Sequence, residues 1–403
     1  MARLEPFSAI RYDSHRIDPD TVVAPPYDVV SPQERALLAK RSPYNAIYLD
    51  LPAPDESSGL DQYENAARIL HSWLANGILR QDSSAAFYVY RMTFHDDRGH
   101  RQAMTGLLGA LGLDLSGGGD VLPHEQTLPK DRLDRLLLLR RLRLNTSPIW
   151  GLSLARGLAV ACREAQARTG EASFKATDDA GVVHELWPIT DEGSIGEISR
   201  LGATAPVLIA DGHHRYQTAC TYAEECRASN GDQPGPHDFV LAFIVELSEE
   251  ELSVRAIHRL VRGIETERLL DLVSKWYRVE PAPEDLVALP ATSVPGVIGI
   301  LTRDGYKLLY PLAALDQAAD DDLDSSRLHV LLSSLPEHEL AYETGWHEAA
   351  AAVRDGRADA AFFVRPVPVA RIESVAATGR LMAPKTTFFY PKPRSGMAFR
   401  SLE

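Results

Sequence analysis

The sequence predicts an α+β fold divided into two or three domains. The chain has 403 residues, of which 45% are hydrophobic and 24% are charged, so it can bury a large core. Runs with strand composition are mixed with amphipathic, helix-like stretches along the chain. The run 206–210 is short, apolar and followed closely by glycine, which is typical of a buried strand.

The N-terminal part, residues 1–118, is predicted to be an α/β extension. Its run 22–30 contains two adjacent prolines, which fix their own backbone and push the preceding residues to extended geometry. We therefore expect a rigid loop that presents Tyr27 and Asp28, and we interpret these two residues as candidate substrate contacts. A loop that is rigid for structural reasons alone is the alternative.

Regular elements follow this loop. Ser31, Pro32 and Glu34 have the spacing of a helix start, with a capping serine, a first-turn proline and a returning carboxylate. A second helix is expected over 62–79. A hairpin is expected from 87–94 and 102–113, with its turn at residues 96–99.

A glycine-rich stretch at residues 116–120 predicts the first domain boundary. The central domain is then expected at 119–264, and its segment 155–204 has the pattern of a peripheral insertion. A C-terminal α/β domain, residues 265–403, is expected to close a cleft.

Charge and cysteine content exclude several function classes. The net charge is −14, and a nucleic-acid surface needs clustered lysine and arginine, so we expect no nucleic-acid partner. The densest basic run, 130–143, alternates with leucines and predicts an amphipathic helix with a solvated basic face. Three cysteines favour a reducing compartment. Without a signal peptide or an apolar run of about 18 residues, we predict a cytoplasmic protein with no membrane partner.

The most informative motif is an Asp-Gly-His-His-Arg run at residues 211–215, directly after the predicted strand. A helix that starts here offers unpaired N–H groups to an anion, and arginine adds a planar fork for phosphate. Asp211 is a candidate ligand for Mg²⁺, which takes one or two carboxylates together with phosphate oxygens. The alternative is that Asp211 only caps the helix. The remaining candidate phosphate contacts of the run are Gly212, His213, His214 and Arg215.

A second motif places His124 and Glu125 in a loop between two prolines, Pro123 and Pro129. A carboxylate in a stiff loop can be held within ~3 Å of a substrate proton, as general base catalysis requires. Glu125 is therefore a candidate base and His124 a candidate phosphate contact. Capping of the following helix by Glu125 is the alternative.

A third motif is Pro-Lys-Thr-Thr at residues 384–387. Lys385 is a candidate point charge for phosphate, and the hydroxyls of Thr386 and Thr387 are candidate substrate contacts. A surface strand edge guarded by a lysine is the alternative.

Taken together and in this order, the motifs Pro-His-Glu-Gln-Thr, Asp-Gly-His-His-Arg and Pro-Lys-Thr-Thr resemble the free L-serine kinases, whose core is similar to ParB and sulfiredoxin. The whole chain, with Val-Val-Ala-Pro-Pro-Tyr-Asp-Val-Val near its start, resembles domain-of-unknown-function family 1015. The resemblance implies a ParB/sulfiredoxin-like nucleotide-binding core at 119–264. It also implies catalytic roles for Glu125 and Asp211, with Mg²⁺ and with ATP or ADP as phosphoryl donor.

The chain departs from the kinases at two places. The gap between Glu125 and Asp211 is longer, from which we infer the insertion at about 155–204. After Thr387 the kinases place arginine and histidine, whereas this chain has Phe388 and Phe389. Lys392 or Arg394 is a candidate replacement for the missing phosphate contact.

The resemblance thus predicts a small-molecule kinase that phosphorylates the hydroxyl of free L-serine or a similar metabolite. Two other classes stay open at this point: a ParB-like switch that binds nucleotide without turnover, and a nucleotide phosphohydrolase. The sequence leaves the donor, the acceptor and the oligomeric state undecided.

Overall fold

A computed structural model describes residues 2–96, 99–122, 129–284, 294–319, 321–377 and 385–403. The chain forms two compact units. The first spans Met1–Leu252, Ala376–Arg380 and Pro391–Glu403, and the second spans Ser253–Val375 and Leu381–Tyr390. The predicted α+β class is confirmed, and the division at residues 118 and 264 stays a prediction.

The strands of the first unit form two sheets. In chain order they are β1 (Leu4–Glu5), β2 (Ala9–Tyr12), β3 (Leu79–Gln81), β4 (Phe87–His95), β5 (Arg101–Gly112), β6 (Val121–Leu122), β7 (Leu144–Asn145), β8 (Ile149–Ser153), β9 (Phe174–Thr177), β10 (Val183–Ile189), β11 (Val207–Asp211), β12 (Phe239–Glu246) and β21 (Phe399–Ser401).

The strands of the second unit are β13 (Ser253–Arg255), β14 (His258–Arg262), β15 (Tyr277–Pro281), β16 (Ile298–Thr302), β17 (Gly305–Pro311), β18 (Glu339–Glu343), β19 (Ala360–Phe363) and β20 (Phe388–Tyr390). The helices are α1 (Pro19–Val22), α2 (Pro32–Arg41), α3 (Ile47–Asp50), α4 (Gln62–Ala75), α5 (Pro129–Leu142), α6 (Leu158–Thr169), α7 (Glu192–Gly202), α8 (His213–Asn230), α9 (Thr266–Val273), α10 (Ala313–Ala318), α11 (Asp324–Ser333), α12 (Trp346–Arg354) and α13 (Val369–Ala377).

Within the described residues, the large sheet of the first unit has the order β6-β11-β8-β12-β5-β4-β10-β9, with β1 beside β5. The pairs β6/β11 and β8/β12 are parallel, and the other pairs are antiparallel. The predicted hairpin is confirmed, because β4 and β5 pair from Tyr88↔Leu108 to His95↔Arg101. The central strand β12 is buried along most of its length, as its nearly continuous apolar sequence indicates.

The segment 155–204 contributes to this sheet. Strand β10 pairs with β4 over seven residues, and Trp187 and Ile189 lie in the core of the first unit. Helix α6 packs its buried face, including Leu158 and Cys162, into the same core. Whether this segment is an insertion relative to the kinases stays a prediction.

The smaller sheet of the first unit has the order β3-β2-β21-β7. It joins residues from both ends of the chain, since Ile10 in β2 pairs with Phe399 in β21. Phe399 is fully buried and packs its ring edge-on against Tyr12. The last described strand is therefore anchored in this unit by hydrogen bonds and by apolar burial.

The predicted helix starts are confirmed. Ser31 Oγ accepts from Glu34 N, and a Glu34 carboxylate oxygen accepts from Ser31 N, which completes a capping box with Pro32 in the first turn. Helix α4 begins with a second capping box, formed by Asp61 and Glu64. Such reciprocal bonds satisfy backbone N–H groups that an isolated helix start leaves unpaired.

The second unit is built on a sheet of order β15-β17-β16-β19-β14-β18, with β13 and β20 forming a separate pair. Its core includes Tyr277, Ile300 and Phe362, which are fully buried. Among the described residues, the helices are each too short or too polar to cross a membrane.

Candidate functional site

The Asp-Gly-His-His-Arg run lies at a strand-to-helix junction, as the sequence predicts. Asp211 ends β11 and His213 begins the 18-residue helix α8, with Gly212 as the N-cap residue. Gly212 has φ 88° and ψ 28°, a left-handed conformation that an L-residue adopts only with strain. Glycine has no side chain to cap the helix, so the N–H groups of the first turn face the junction without that partner.

The carboxylate of Asp211 is held between two cations. Lys392 Nζ donates to Oδ1 at 2.8 Å, and Arg215 Nη2 donates to Oδ2 at 3.1 Å. The three side chains are 17%, 11% and 21% exposed for Lys392, Arg215 and Asp211, so these pairs are only partly accessible to water. The alternative that Asp211 caps α8 is therefore wrong, because both oxygens turn to side-chain cations.

The charges around Asp211 set its ionisation. Burial alone would raise the pKa of the Asp211 carboxyl, but the positive charges of Lys392 and Arg215 outweigh burial and hold that pKa below its usual value of 3.8. Asp211 is consequently ionised at neutral pH. Two cations thus face one carboxylate at the start of α8, where the helix dipole adds a partial positive charge.

Arg215 is oriented by contacts from separate parts of the chain. Its Nη1 donates to Ser147 Oγ at 3.2 Å and to the Pro148 carbonyl oxygen, and its guanidinium lies 5.9 Å from the Tyr27 ring centroid. Burial lowers the pKa of Arg215, but the charges of Asp28 and Asp211 outweigh that effect and raise it. Within the described residues, the buried Arg215 Nε has no hydrogen-bond partner.

Tyr27, predicted to be a substrate contact, lies between two arginines. The Arg135 guanidinium stands 4.1 Å from the Tyr27 ring centroid, closer than that of Arg215. Burial raises the pKa of Tyr27 to about 12, although both arginines act to lower it. The phenol therefore stays protonated at neutral pH, and Asp28 next to it is exposed.

The environment of Arg135 corrects one expectation from the sequence. The basic face of the helix over 130–143 was expected to be solvated, but Arg135 in α5 is only 6% exposed. It donates to Asp134 Oδ2 at 2.8 Å and to the Asp50 carbonyl oxygen at 2.5 Å. The arginine is thus a buried connection between α5, α3 and the Tyr27 loop.

The buried carboxylate of Asp50 accepts hydrogen bonds from three hydroxyl groups. It is 1% exposed and accepts from Thr146 Oγ1 at 2.7 Å, from Ser147 Oγ at 3.0 Å and from Ser395 Oγ at 2.7 Å. A buried carboxylate needs such donors to offset its lost hydration. Through Ser147, this network also supports Arg215.

The segment that carries Lys392 is fixed by a second buried network. Arg394 Nε donates to Asp178 Oδ2 at 2.8 Å, and the same oxygen lies 3.1 Å from His184 Nε2. The other His184 nitrogen lies 2.7 Å from Tyr90 Oη, which also accepts from Arg394 N at 3.2 Å. Burial raises the pKa of Asp178, but its bonds to His184 and Arg394 outweigh burial and lower it.

Sequence reasoning identified Lys392 and Arg394 as possible replacements for a phosphate contact. The structure places Lys392 on Asp211 and commits Arg394 to Asp178. The partners Asp178, His184 and Tyr90 were missed, because no local pattern links three residues from separate strands and loops. The basic cluster near the end of an acidic chain was the available signal for Lys392.

The other candidates are placed as follows. His213 is buried and His214 is half-buried, on the first turn of α8. His124 and Glu125 lie outside the described residues. Lys385, Thr386 and Thr387 belong to the second unit, whereas Asp211 and Arg215 belong to the first.

Lys385 has an uncommon backbone. Its φ of 57° is left-handed, and its carbonyl oxygen accepts from Nη2 of the buried Arg259 at 2.9 Å. Thr386 is 5% exposed and Thr387 half-buried, just before β20. Phe389 is buried in β20.

Within the described residues, no group of three or more histidine, cysteine, aspartate or glutamate side chains could hold a metal ion. Asp211 is the predicted Mg²⁺ ligand, yet each of its oxygens already accepts from a cationic side chain. The described residues therefore do not form a magnesium site by themselves.

Comparison with known proteins identifies the family. A family model described as a protein of unknown function, DUF1015, matches residues 4–328, so the chain belongs to the DUF1015 family. The resemblance to this family is confirmed. No curated protein matches the chain.

Solved structures are similar to the chain only distantly. A conserved hypothetical protein from Pyrococcus furiosus is 13% identical, with 70% of this chain and 90% of that chain covered and a TM-score of 0.37. A free serine kinase in complex with AMP is 15% identical, with coverage of 70% and 86% and a TM-score of 0.36. C-terminally truncated SbnI from Staphylococcus aureus is 12% identical, with coverage of 71% and 84% and a TM-score of 0.37. The ParB-like core stays a prediction.

Proposed function

We propose that this protein is a phosphotransferase that moves a phosphoryl group from ATP or ADP to the hydroxyl of free L-serine or a similar small metabolite. One observation carries the proposal: at the start of α8, where the N-cap residue Gly212 has no capping side chain, Asp211 lies between Lys392 and Arg215. Two cationic side chains at a helix N-terminus favour the oxygens of a nucleotide phosphate. The order of the three sequence motifs supports the same reaction.

In the proposed step the acceptor hydroxyl oxygen attacks the terminal phosphorus of the donor. The bond from that phosphorus to the bridging oxygen breaks, and the shortened nucleotide leaves. The hydroxyl proton passes to a base, for which the motif favours Glu125. Catalysis of such transfers rests largely on positioning and charge stabilisation, so the cations are expected to contribute most.

The described residues take definite parts in this proposal. Arg215 and Lys392 stabilise the charge on the transferring phosphoryl group, and Asp211 keeps both cations oriented. The sequence motif also predicts phosphate contacts from His213 and His214, which lie on the first turn of α8. Because the described residues form no magnesium site by themselves, no step is assigned to Mg²⁺. The roles of Lys385, Thr386 and Thr387 stay predictions from the motif.

The direct test is to incubate the purified protein with serine, Mg²⁺ and either ATP or ADP, and to follow phosphoserine by ³¹P NMR. We expect phosphoserine to accumulate with one of the two donors. Phosphate release that is indifferent to added serine would instead show a phosphohydrolase. Nucleotide binding without any turnover would show a switch.

Two variants test the site. Asp211→Asn is expected to lower turnover by about 10²-fold or more, since the cations lose their charged anchor. Asp191→Asn is the matched control: Asp191 caps α7, asparagine caps equally well, and turnover should not change. Glu125→Ala is expected to abolish transfer, and full turnover in that variant would remove the role given to Glu125.

A further inference from the structure

The second unit contains a cavity that shares one residue, Thr386, with the third motif and otherwise has no part in the proposed function. Its volume is about 270 Å³, close to the lower end for pockets that enclose a small molecule. Its apolar wall includes Leu323, Val364 and Val367. Its polar lining includes Ser325, Arg371 and Thr386, the last of which carries a predicted contact role.

Two polar atoms of this lining are buried without a hydrogen-bond partner among the described residues, Ser325 Oγ and Arg371 Nε. Ser325 is only 5% exposed, so bulk water does not replace the missing partner. Arg371 Nη2 lies 2.6 Å from Asp322, but that carboxylate is 69% exposed and screened by solvent. Buried polar groups in native structures are normally paired, and a ligand would supply what these two lack.

Helix geometry points to an anion. Helix α11 begins at Asp324, and its N-cap residue, Leu323, provides no side-chain cap. The Asp324 carboxylate itself accepts from Arg365 Nε at 2.8 Å and from Nη2 at 2.7 Å, which makes it the partner of a guanidinium. Ser325 therefore lies in the first turn of a ten-residue helix whose N-terminus has no side-chain cap. The helix dipole favours negative charge at this end.

A residue next to the cavity lining has a strained backbone. Lys385 adopts a left-handed φ of 57°, and the buried Arg259 holds its carbonyl oxygen at 2.9 Å. The next residue, Thr386, lines the cavity. Strain that the surrounding structure maintains is a mark of functional sites.

We infer that this cavity binds a small carboxylate with a short apolar body. Arg371 and the start of α11, with Ser325, would contact the carboxylate, and the wall of Leu323, Val364 and Val367 would cover the apolar part. The two acids beside the arginines, Asp322 and Asp324, disfavour a dianion such as phosphate. The inference goes beyond the proposed function and stands on the second unit alone.

Isothermal titration calorimetry of the full chain with acetate, butyrate, hexanoate and inorganic phosphate tests this site. Affinity is expected to rise with chain length, by roughly fourfold for each methylene that the cavity encloses. Arg371→Gln is expected to weaken butyrate binding about tenfold or more, and Ser325→Ala by a smaller factor. Arg357→Gln is the control, because Arg357 lies on the surface of the same unit, is 62% exposed and should leave binding unchanged.

Several outcomes would overturn the inference. Carboxylate affinity that is independent of chain length would mean that the apolar wall is not used. Phosphate binding tighter than hexanoate, or no heat from any carboxylate, would remove the assigned ligand class. Should Arg371→Gln fail to fold, Ser325→Ala decides the matter, and unchanged butyrate affinity in that variant contradicts the site.

Discussion

The starts of α8 and α11 each bring an aspartate to an arginine, yet the two pairs differ in charge balance. At α8, Asp211 accepts hydrogen bonds from two cations, Arg215 at 3.1 Å and Lys392 at 2.8 Å. At α11, Asp324 accepts two hydrogen bonds from one arginine, Arg365, at 2.8 and 2.7 Å. The Asp324 side chain is 5% exposed, whereas that of Asp211 is 21% exposed.

The difference concerns phosphate: the Asp324–Arg365 pair at α11 is charge-balanced, whereas the carboxylate at α8 is shared by two cations. A carboxylate that forms a bidentate pair with one guanidinium is charge-balanced, and breaking that pair costs both hydrogen bonds. A carboxylate shared by two cations leaves positive charge that an incoming anion can use. Helix position alone therefore does not identify a phosphate site, and the ratio of cations to carboxylates decides between the two cases.

The largest expected effect tests the closed pair. Asp324→Ala should lower the free energy of unfolding by about 3 kcal/mol, because it leaves Arg365 partly buried without its carboxylate. Urea denaturation followed by circular dichroism measures this loss. A urea midpoint equal to that of the unmodified protein would show that the Asp324–Arg365 pair does not stabilise the fold. The contrast drawn between the two aspartates would then be wrong for Asp324.

A smaller effect is expected at the shared carboxylate. Lys392→Met should cost about 2 kcal/mol of stability at pH 7, because Asp211 loses one charged hydrogen bond. The pKa of Asp211 is lower in the folded protein than its usual 3.8, so its ionisation stabilises the fold above that value. That stabilisation is lost as the pH falls through the folded pKa.

The difference between Lys392→Met and the unmodified protein should therefore be constant from pH 7 to about 5 and shrink below about pH 4. Urea unfolding at a series of pH values measures it. A difference that persists undiminished in acid would mean that Lys392 stabilises the fold by packing and not through Asp211.

The smallest expected effect is that of alanine at Gly212 or Gly157, and comparing the two variants distinguishes backbone strain from contact with Arg215. Gly212 and Gly157 are both helix N-cap residues with left-handed φ, 88° and 90°. Alanine at either position should cost about 1 kcal/mol for the conformation. A Cβ at Gly212 would also meet the Arg215 guanidinium at 3.1 Å, whereas a Cβ at Gly157 has no heavy atom within 4 Å among the described residues.

We therefore expect only Gly212→Ala to lower the proposed phosphoryl transfer, although both variants lose stability. Turnover and urea unfolding, measured side by side, test this. Equal loss of turnover in both variants would mean that strain alone is responsible and that the position of Arg215 is unimportant.

Local features were predictable from the sequence. The capping serine at residue 31, the hairpin of β4 and β5, and the junction at residue 211 each depend on neighbouring residues or on short-range periodicity. The strand-to-helix junction followed from an apolar run that ends in Asp-Gly. In such cases the physical cause lies within a few residues, so the pattern is visible in the chain.

The partners of these residues were not predictable. Lys392 and Asp211 are 181 residues apart, and Arg394 and Asp178 are 216 apart. Which of many charged residues meet depends on the packing of whole strands, which no local pattern encodes. For the same reason Arg135 was interpreted as solvated, although the loop of Tyr27 covers it.

The distance along the chain between Asp211 and Lys392 has a consequence for synthesis. While the ribosome is still adding the second unit, Asp211 and Arg215 have already emerged, but Lys392 does not yet exist. The cluster can therefore be completed only after Arg394, Ser395 and strand β21 have left the exit tunnel. A nascent chain that has not yet exposed Lys392 would therefore carry Asp211 with only one of its two cationic partners.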